Sequence, residues 1–156
     1  VLDPAREPGR LTLIHRMGLA KVDVVLPGLL AAVKAEGRTP LWVCDPMHGN
    51  TEALANGYKT RRFKNIRAEL ETAFDVHAAA GTHLGGVHLE LTGENVTECL
   101  GGARGLTEQD LGVAYKSQVD PRLNYEQSLE LAMLIVRKRG HAAGHPGADG
   151  AVVSGP

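Results

Sequence analysis

The chain has 156 residues, enough for one domain with a buried core of its own. Its formal charge of −1 argues against a nucleic-acid or membrane partner that is selected by electrostatics. No apolar run approaches the roughly 18 to 20 residues of a membrane span, and the first residues lack the apolar core of a signal peptide, so we expect a cytoplasmic protein. Cys44 and Cys99 are far apart in the sequence, which favours neither a disulfide framework nor a zinc ribbon.

The first part of the chain predicts two strands with a helix between them. The first strand covers residues 11–14, and the helix that follows is capped by Asp23 and ended by Gly37, with Pro27 near its first turn. The second strand covers residues 40–44 and is nearly continuous in apolar residues, as strands covered on both faces tend to be.

The middle of the chain repeats this order. A loop over residues 51–62 leads to a helix over residues 65–80, whose apolar face includes Phe74 and His77. A third strand then covers residues 85–93, and acidic residues stand at its exit.

The last part is less regular. Residues 107–110 fit a capping box and predict a short helix in a turn-rich stretch. A weak fourth strand over residues 115–119 precedes a helix that begins at Asn124, with Gln127 as its capping partner, and ends near Arg139.

These elements indicate a fold class and a domain boundary. Strands that alternate with helices indicate parallel strands with crossover helices, in an α/β protein. An open doubly wound sheet and a piece of a (β/α)8 barrel both fit, and a full barrel needs roughly 250 residues. From residue 140 the composition becomes Gly, Ala, His and Pro, which predicts a disordered tail over residues 140–156 behind one folded unit over residues 1–139.

Every predicted strand is followed by an ionisable side chain: Arg16, then Asp45 and His48, then Glu90, then Asp120. Because the carboxyl ends of parallel strands form one face, we expect these side chains to converge. One imidazole and two carboxylates make a site for Mn²⁺, Co²⁺, Fe²⁺ or Zn²⁺. The structural alternative is that Glu90 and Asp120 cap loops or pair with nearby arginines.

Positive charge accompanies this face. Arg16 and the basic cluster at residues 59–62 offer guanidinium and ammonium groups, which bind carboxylate and phosphate. The predicted ligands are therefore small and anionic. The basic cluster fits a solvated helix entry equally well.

Five stretches carry a resemblance to a known family, and they match it in register from about residue 3 to residue 138. They closely resemble the class II 3-deoxy-D-arabino-heptulosonate 7-phosphate (DAHP) synthases at residues 16–18, 44–51, 59–61, 88–99 and 120–124. The resemblance implies a (β/α)8 TIM barrel, parallel strands with crossover helices, that condenses phosphoenolpyruvate with erythrose 4-phosphate. This reaction is the first step of the shikimate pathway, which leads to chorismate and the aromatic amino acids.

The resemblance also implies roles for single residues. His48, Glu90 and Asp120 match the metal ligands of the family, and Arg16 matches an arginine that binds phosphoenolpyruvate. Lys59 falls near the erythrose 4-phosphate site. The implied metal is Mn²⁺ or Co²⁺ before Zn²⁺ or Fe²⁺, and it acts as a Lewis acid on the aldehyde oxygen.

Asp45 is expected to orient His48 without binding the metal itself. No further residue of the chain is assigned a catalytic role.

The chain also departs from the family. A cysteine ligand and further phosphoenolpyruvate contacts belong to a region that this sequence does not contain. Cys44 and Cys99 do not match that ligand, and we expect both to be buried packing residues. The chain therefore corresponds to the C-terminal half of the barrel, strands five to eight.

A half barrel alone is expected to lack synthase activity. Its open edges predict that it pairs with the missing N-terminal half, associates with itself or aggregates. Two other functions remain open. One is a non-catalytic metal-binding or interaction module derived from the synthase, and the other is an unrelated metal-dependent aldolase on a doubly wound sheet.

Overall fold

The computed structural model describes residues 2–142, without the side chains of residues 141 and 142. Five strands and three α-helices follow one another in the order β1 (Thr12–His15), α1 (Leu19–Ala35), β2 (Leu41–Cys44), β3 (Thr51–Ala53), β4 (Lys59–Arg61), α2 (Phe63–Ala79), β5 (Leu84–Val87) and α3 (Tyr125–Ala142). Short 3-10 helices cover His48–Asn50 and Leu111–Val113.

The main sheet is parallel and has the order β1-β2-β5. Thr12 pairs with Leu41 and His15 with Cys44, so the first two strands end side by side. This arrangement confirms the α/β class with parallel strands and crossover helices, and it is consistent with a partial barrel.

The fourth strand that the sequence predicted at residues 115–119 is wrong. Near its expected position, an isolated parallel bridge joins Leu91 to Leu123. The Leu123 amide donates to the Glu90 carbonyl at 3.0 Å, and the Thr92 amide donates to the Leu123 carbonyl at 3.0 Å. Residues 115–119 form no strand pairing because hydrogen bonds to the Glu98 carboxylate hold Lys116 and Ser117 instead.

A second small sheet occupies the predicted loop at residues 51–62. β3 and β4 form an antiparallel hairpin in which Thr51 pairs with Arg61 and Ala53 with Lys59. Strands of three residues are too short to show an alternating pattern in the sequence. The hairpin turns the basic cluster back toward the end of β2.

α1 begins earlier than the sequence predicted. It starts at Leu19, four residues before Asp23, and Pro27 lies inside the helix. The Leu19 amide donates to Asn50 Oδ1 at 3.2 Å, so the side chain that caps this helix comes from a distant loop. A cap of that kind leaves no signal in the local sequence.

The short helix predicted after Thr107 is a 3-10 turn at Leu111–Val113. The Thr107 amide and hydroxyl both donate to Asp110 Oδ2 at 2.7 Å, so the capping contact forms without an α-helix behind it.

The capping box of α3 is confirmed. The Asn124 amide donates to Gln127 Oε1 at 3.2 Å, and the Gln127 amide donates to Asn124 Oδ1 at 2.9 Å. α3 continues to Ala142, three residues past the predicted end at Arg139, and the rest of the predicted tail lies outside the described residues.

The helices cover one face of the main sheet and form the core with it. Cys44 and Cys99 are buried there, as predicted. The main apolar side chains of this core are Val22, Leu26, Leu30, Trp42, Met47, Ile66, Leu70, Leu131 and Leu134.

The opposite face of the sheet is open within the described residues. Ile14 is 56% exposed and Leu41 is 40% exposed on it, although parallel sheets are normally buried on both faces. None of the helices in residues 2–142 is long and apolar enough to cross a membrane.

Candidate metal centre

Asp45 organises the loop that follows β2. Its Oδ1 accepts from the amides of Met47 at 3.0 Å and His48 at 3.2 Å, and its Oδ2 accepts from His48 Nδ1 at 2.7 Å. Because an ionised carboxylate only accepts, the proton of the neutral imidazole lies on Nδ1 and the lone pair on Nε2. His48 therefore presents the nitrogen that a metal ion needs.

Two glycines bring the loop after β1 against the loop after β2. A Cβ on Gly49 would lie 2.4 Å from the Gly18 nitrogen, and a Cβ on Gly18 would lie 2.6 Å from the Gly49 oxygen. Gly18 also has a φ of 82°, which favours glycine. This contact places Arg16 beside the site, with its Nε 3.2 Å from Asp45 Oδ2.

Glu69 on α2 joins the same two loops through its side chain. Its carboxylate is fully buried and accepts from the Gly18 amide at 3.0 Å and from Asn50 Nδ2 at 2.6 Å. Burial raises the pKa of Glu69, and the hydrogen bonds from Gly18 and Asn50 oppose that rise only in part. The position of Glu69 on the apolar face of α2 is the sequence signal that indicates a buried, bonded carboxylate.

The side chains of His48, Glu90 and Asp120 come together at the carboxyl edge of the sheet. One potential ligand atom from each lies within 4.8 Å of the other two, and His48 Nε2 is 3.8 Å from Glu90 Oε2. Ligand atoms that share one ion at about 2.0–2.2 Å lie about 3 to 3.5 Å apart, so the donor set fits a divalent metal and the three side chains would close in slightly around it.

Glu90 also pairs with arginines, which was the structural alternative. Arg61 Nη2 lies 2.6 Å from Glu90 Oε2, and Arg122 Nη1 lies 3.1 Å from Glu90 Oε1. The Arg61 contact is an ion pair without hydrogen-bond geometry, and Glu90 Oε2 has no hydrogen-bond donor among the described residues. A metal ion bound at that oxygen would therefore share it with Arg61.

The direct ion pairs of the site contain more cations than carboxylates. Lys59 Nζ lies 3.4 Å from Asp120 Oδ1, which completes a set of four cations in contact with three carboxylates: Arg16, Lys59, Arg61 and Arg122 against Asp45, Glu90 and Asp120. A divalent ion held by these carboxylates would leave the four cations to interact with anions.

The sequence-predicted site residues all lie in this region. His48, Glu90 and Asp120 are brought together, Arg16 lies against Asp45, and Lys59 lies against Asp120.

Sequence reasoning missed the roles of Arg61 and Arg122. Arg61 is fully buried, with its Nε donating to Thr51 Oγ1 at 2.8 Å and its Nη1 donating to the Pro121 carbonyl at 2.5 Å. The only signals were their places in the basic cluster and next to Asp120.

A second group of ligand-type side chains shares His48. Asp45, His48 and His88 also offer atoms within 4.8 Å of one another. Asp45 Oδ2 is already engaged by His48 and Arg16, so this group is less open to an ion than the first.

Neither cysteine belongs to the site. Burial raises the pKa of the Cys99 thiol to about 12 and that of the Cys44 thiol further still. Both thiols stay protonated at neutral pH, and a thiolate is the form that binds metal.

Comparison with known proteins assigns the chain to a family. The Class-II DAHP synthetase family matches residues 1–136. The chain is 56% identical over 134 residues to "Phospho-2-dehydro-3-deoxyheptonate aldolase AroG" of Mycolicibacterium smegmatis, which covers 86% of this chain and 29% of the relative. It is 53% identical over 134 residues to "Phospho-2-dehydro-3-deoxyheptonate aldolase" of Streptomyces coelicolor, which covers 86% of this chain and 30% of that relative.

The chain thus spans under a third of the length of these relatives. The match includes the loop with Asp45 and His48 and the strand ends with Glu90 and Asp120, which all lie within the matched residues. The protein belongs to the class-II DAHP synthetase family.

Proposed function

We propose that this chain is part of a 3-deoxy-7-phosphoheptulonate synthase, an aldol-type transferase. The reaction joins phosphoenolpyruvate, erythrose 4-phosphate and water to give DAHP and phosphate, at the start of the shikimate pathway to chorismate and the aromatic amino acids. The observation that carries the proposal is the convergence of His48, Glu90 and Asp120 in a chain of this family.

The three side chains would hold a divalent ion, with Mn²⁺ or Co²⁺ preferred to Zn²⁺ or Fe²⁺. Histidine nitrogen with two carboxylates is a mixed donor set that suits these ions. When bound, the ion supplies Lewis-acid polarisation of the aldehyde oxygen. Asp45 holds the His48 ring through Nδ1, which would leave Nε2 to bind the ion.

The cations would bind the substrates. Arg16 uses its Nε on Asp45, so its two Nη groups are left for the carboxylate or phosphate of phosphoenolpyruvate. Lys59 would meet the phosphate of erythrose 4-phosphate as a point charge. Fixed charges of this kind hold two anionic substrates in reacting geometry and lower the cost of bringing them together.

The chain would form strands five to eight of the barrel. Its open sheet face and its coverage of the relatives support a partner that completes the barrel, either the remaining part of such a synthase or a second copy of this chain. The isolated chain would then be inactive. We also propose a cytoplasmic protein without nucleic-acid or membrane partners.

Mn²⁺ binding tests the metal site in the chain alone. Titration followed by Mn²⁺ electron paramagnetic resonance should show one site in the wild type and none in His48→Ala. His83→Ala removes an exposed imidazole outside the site and should bind as the wild type does. Equal binding by both variants would contradict the assignment.

Synthase activity is expected only when the rest of the barrel is supplied. The chain can be mixed with the portion of the Mycolicibacterium smegmatis relative that it does not cover, and phosphate release can be measured with both substrates. The proposal expects activity in the mixture, none in the chain alone, and none with His48→Ala. Activity that survives this change would instead favour a non-catalytic module.

A further inference from the structure

The segment that presents Asp120 has no regular secondary structure. Residues 114–122 lie between the 3-10 turn at Leu111–Val113 and the bridge at Leu123. Asp120 lies in the second half of this stretch, and its side chain is 31% exposed. A loop of this kind needs a separate anchor if one carboxylate is to stay at a fixed position.

That anchor is the carboxylate of Glu98. Oε1 accepts from the amides of Lys116 at 2.8 Å and Ser117 at 2.9 Å, and Oε2 accepts from Ser117 Oγ and from the Arg122 amide, both at 2.6 Å. The donors stand on both sides of Asp120 in the sequence. One carboxylate therefore closes the segment from 117 to 122 into a loop with Asp120 inside it.

The position of Glu98 is itself fixed. The side chain is 1% exposed, and its backbone carbonyl accepts from Thr60 Oγ1 at 2.8 Å. Thr60 lies in β4 between Lys59 and Arg61, the cations that contact Asp120 and Glu90. Glu98 thus ties the Asp120 loop to the strand that carries two of the cations of the site.

The contacts demand an ionised carboxylate of this length. Burial on its own raises the pKa of Glu98, but the hydrogen bonds from Ser117, Arg122 and Lys116 outweigh it and lower the pKa. Four donors fill the acceptor positions of the two oxygens. Glutamine would turn an amino group toward two of these donors, and aspartate would be one methylene too short.

We infer that Glu98 is a positioning residue that holds Asp120 in place for metal binding. The inference rests on the proposed metal site and adds a residue that does not touch the ion. Residues that orient metal ligands typically contribute 10- to 100-fold to metal affinity, and Glu98 acts on the loop backbone in the same way.

Three variants of the full chain test this role. Glu98→Gln should weaken Mn²⁺ binding by about 10- to 100-fold. Ser117→Ala removes one of the four donors and should weaken it by about threefold, which keeps the test decisive if Glu98→Gln does not fold. Thr97→Val is the matched control, because Thr97 is also buried but bonds Leu111 and Ala114, which precede the residues 116–122 that Glu98 holds.

Hydrogen exchange of the metal-free chain gives an independent measurement. The amides of Lys116, Ser117 and Arg122 should exchange faster in Glu98→Gln and remain protected in Thr97→Val. If Glu98→Gln binds Mn²⁺ as the wild type does, or if Thr97→Val weakens binding equally, the inference is overturned.

The two proposals can fail separately. If the wild-type chain binds no Mn²⁺, the proposed metal site of this chain fails. Faster exchange in Glu98→Gln would then still support its hold on the loop, and unchanged exchange would overturn it.

Discussion

One oxygen of Asp45 joins a proposed metal ligand to a proposed substrate-binding cation. Asp45 Oδ2 lies 2.7 Å from His48 Nδ1 and 3.2 Å from Arg16 Nε, and the carboxylate is almost fully buried. The ring orientation of His48 and the place of Arg16 therefore depend on the same group.

Asp45→Asn should weaken Mn²⁺ binding by about 10- to 100-fold while the fold is kept. The amide is a poorer partner for Nδ1, so His48 becomes a weaker ligand and its ring orientation is less defined. Mn²⁺ titration measures the loss. Asp75→Asn removes an exposed carboxylate that pairs with Lys138 and should leave Mn²⁺ affinity unchanged; an equal loss in both variants would contradict the role of Asp45.

Arg61→Met should destabilise the chain by about 1–3 kcal/mol, because Glu90 keeps only Arg122 as a partner and the Pro121 carbonyl loses its donor. Urea denaturation measures the change in the free energy of unfolding. Arg67→Met is the control, since Arg67 and Glu71 form a partly exposed helical pair that contributes about 0.3–0.5 kcal/mol. Similar losses in the two variants would show that the burial of Arg61 does not matter.

The sequence predicts which site residues follow the strands more reliably than it predicts which charged side chains are buried. Residues that follow apolar strands in a parallel α/β protein lie at one edge, so His48 and Glu90 could be placed together in advance. Arg61, Glu69 and Glu98 could not, because charged side chains are usually exposed and only the tertiary structure supplies the partners that allow their burial.

The wrong predictions have a similar cause. α1 begins at Leu19 because Asn50 caps it from another loop, and β3 and β4 are too short for their pairing to show in the sequence. The weak fourth strand predicted at residues 115–119 does not form. Hydrogen bonds to Glu98 hold that stretch, and the sheet contact occurs at Leu123.

Gly49→Ala should destabilise the chain by up to about 3 kcal/mol, because its Cβ would lie 2.4 Å from the backbone nitrogen of Gly18 and the two loops would have to separate. Gly28→Ala in α1 is the matched control. A Cβ at this position meets nothing within 4 Å, so the change should stabilise the helix by about 0.5–1 kcal/mol. Urea denaturation compares them. A neutral Gly49→Ala would mean that the loops tolerate separation.

Two buried histidines, His15 at the end of β1 and His77 on α2, contact each other. His15 Nε2 lies 3.4 Å from His77 Nε2, and His77 Nδ1 lies 2.8 Å from Thr82 Oγ1. Burial, followed by the charge of the other histidine, lowers the pKa of His15 from 6.5 to about 4. Burial, followed by the charge of His83, lowers the pKa of His77 from 6.5 to about 4.

The folded chain thus binds fewer protons than the unfolded chain between these pH values, so its stability rises with pH there. The contribution of the pair is complete above pH 6.5 and is lost as the pH falls toward about 4. A pKa lowered by this amount corresponds to roughly 3 kcal/mol for each histidine.

His77→Asn keeps a side chain that can bond Thr82 and does not titrate in this range. It also removes the repulsion between the two histidine charges that lowers the pKa of His15. The loss of unfolding free energy between pH 6.5 and 4 should therefore be at most about half that of the wild type. Urea denaturation at a series of pH values measures the slope. His83→Asn changes an exposed histidine and should keep most of the wild-type slope. If His77→Asn retains the full slope, the acid sensitivity arises from the carboxylates and not from this pair.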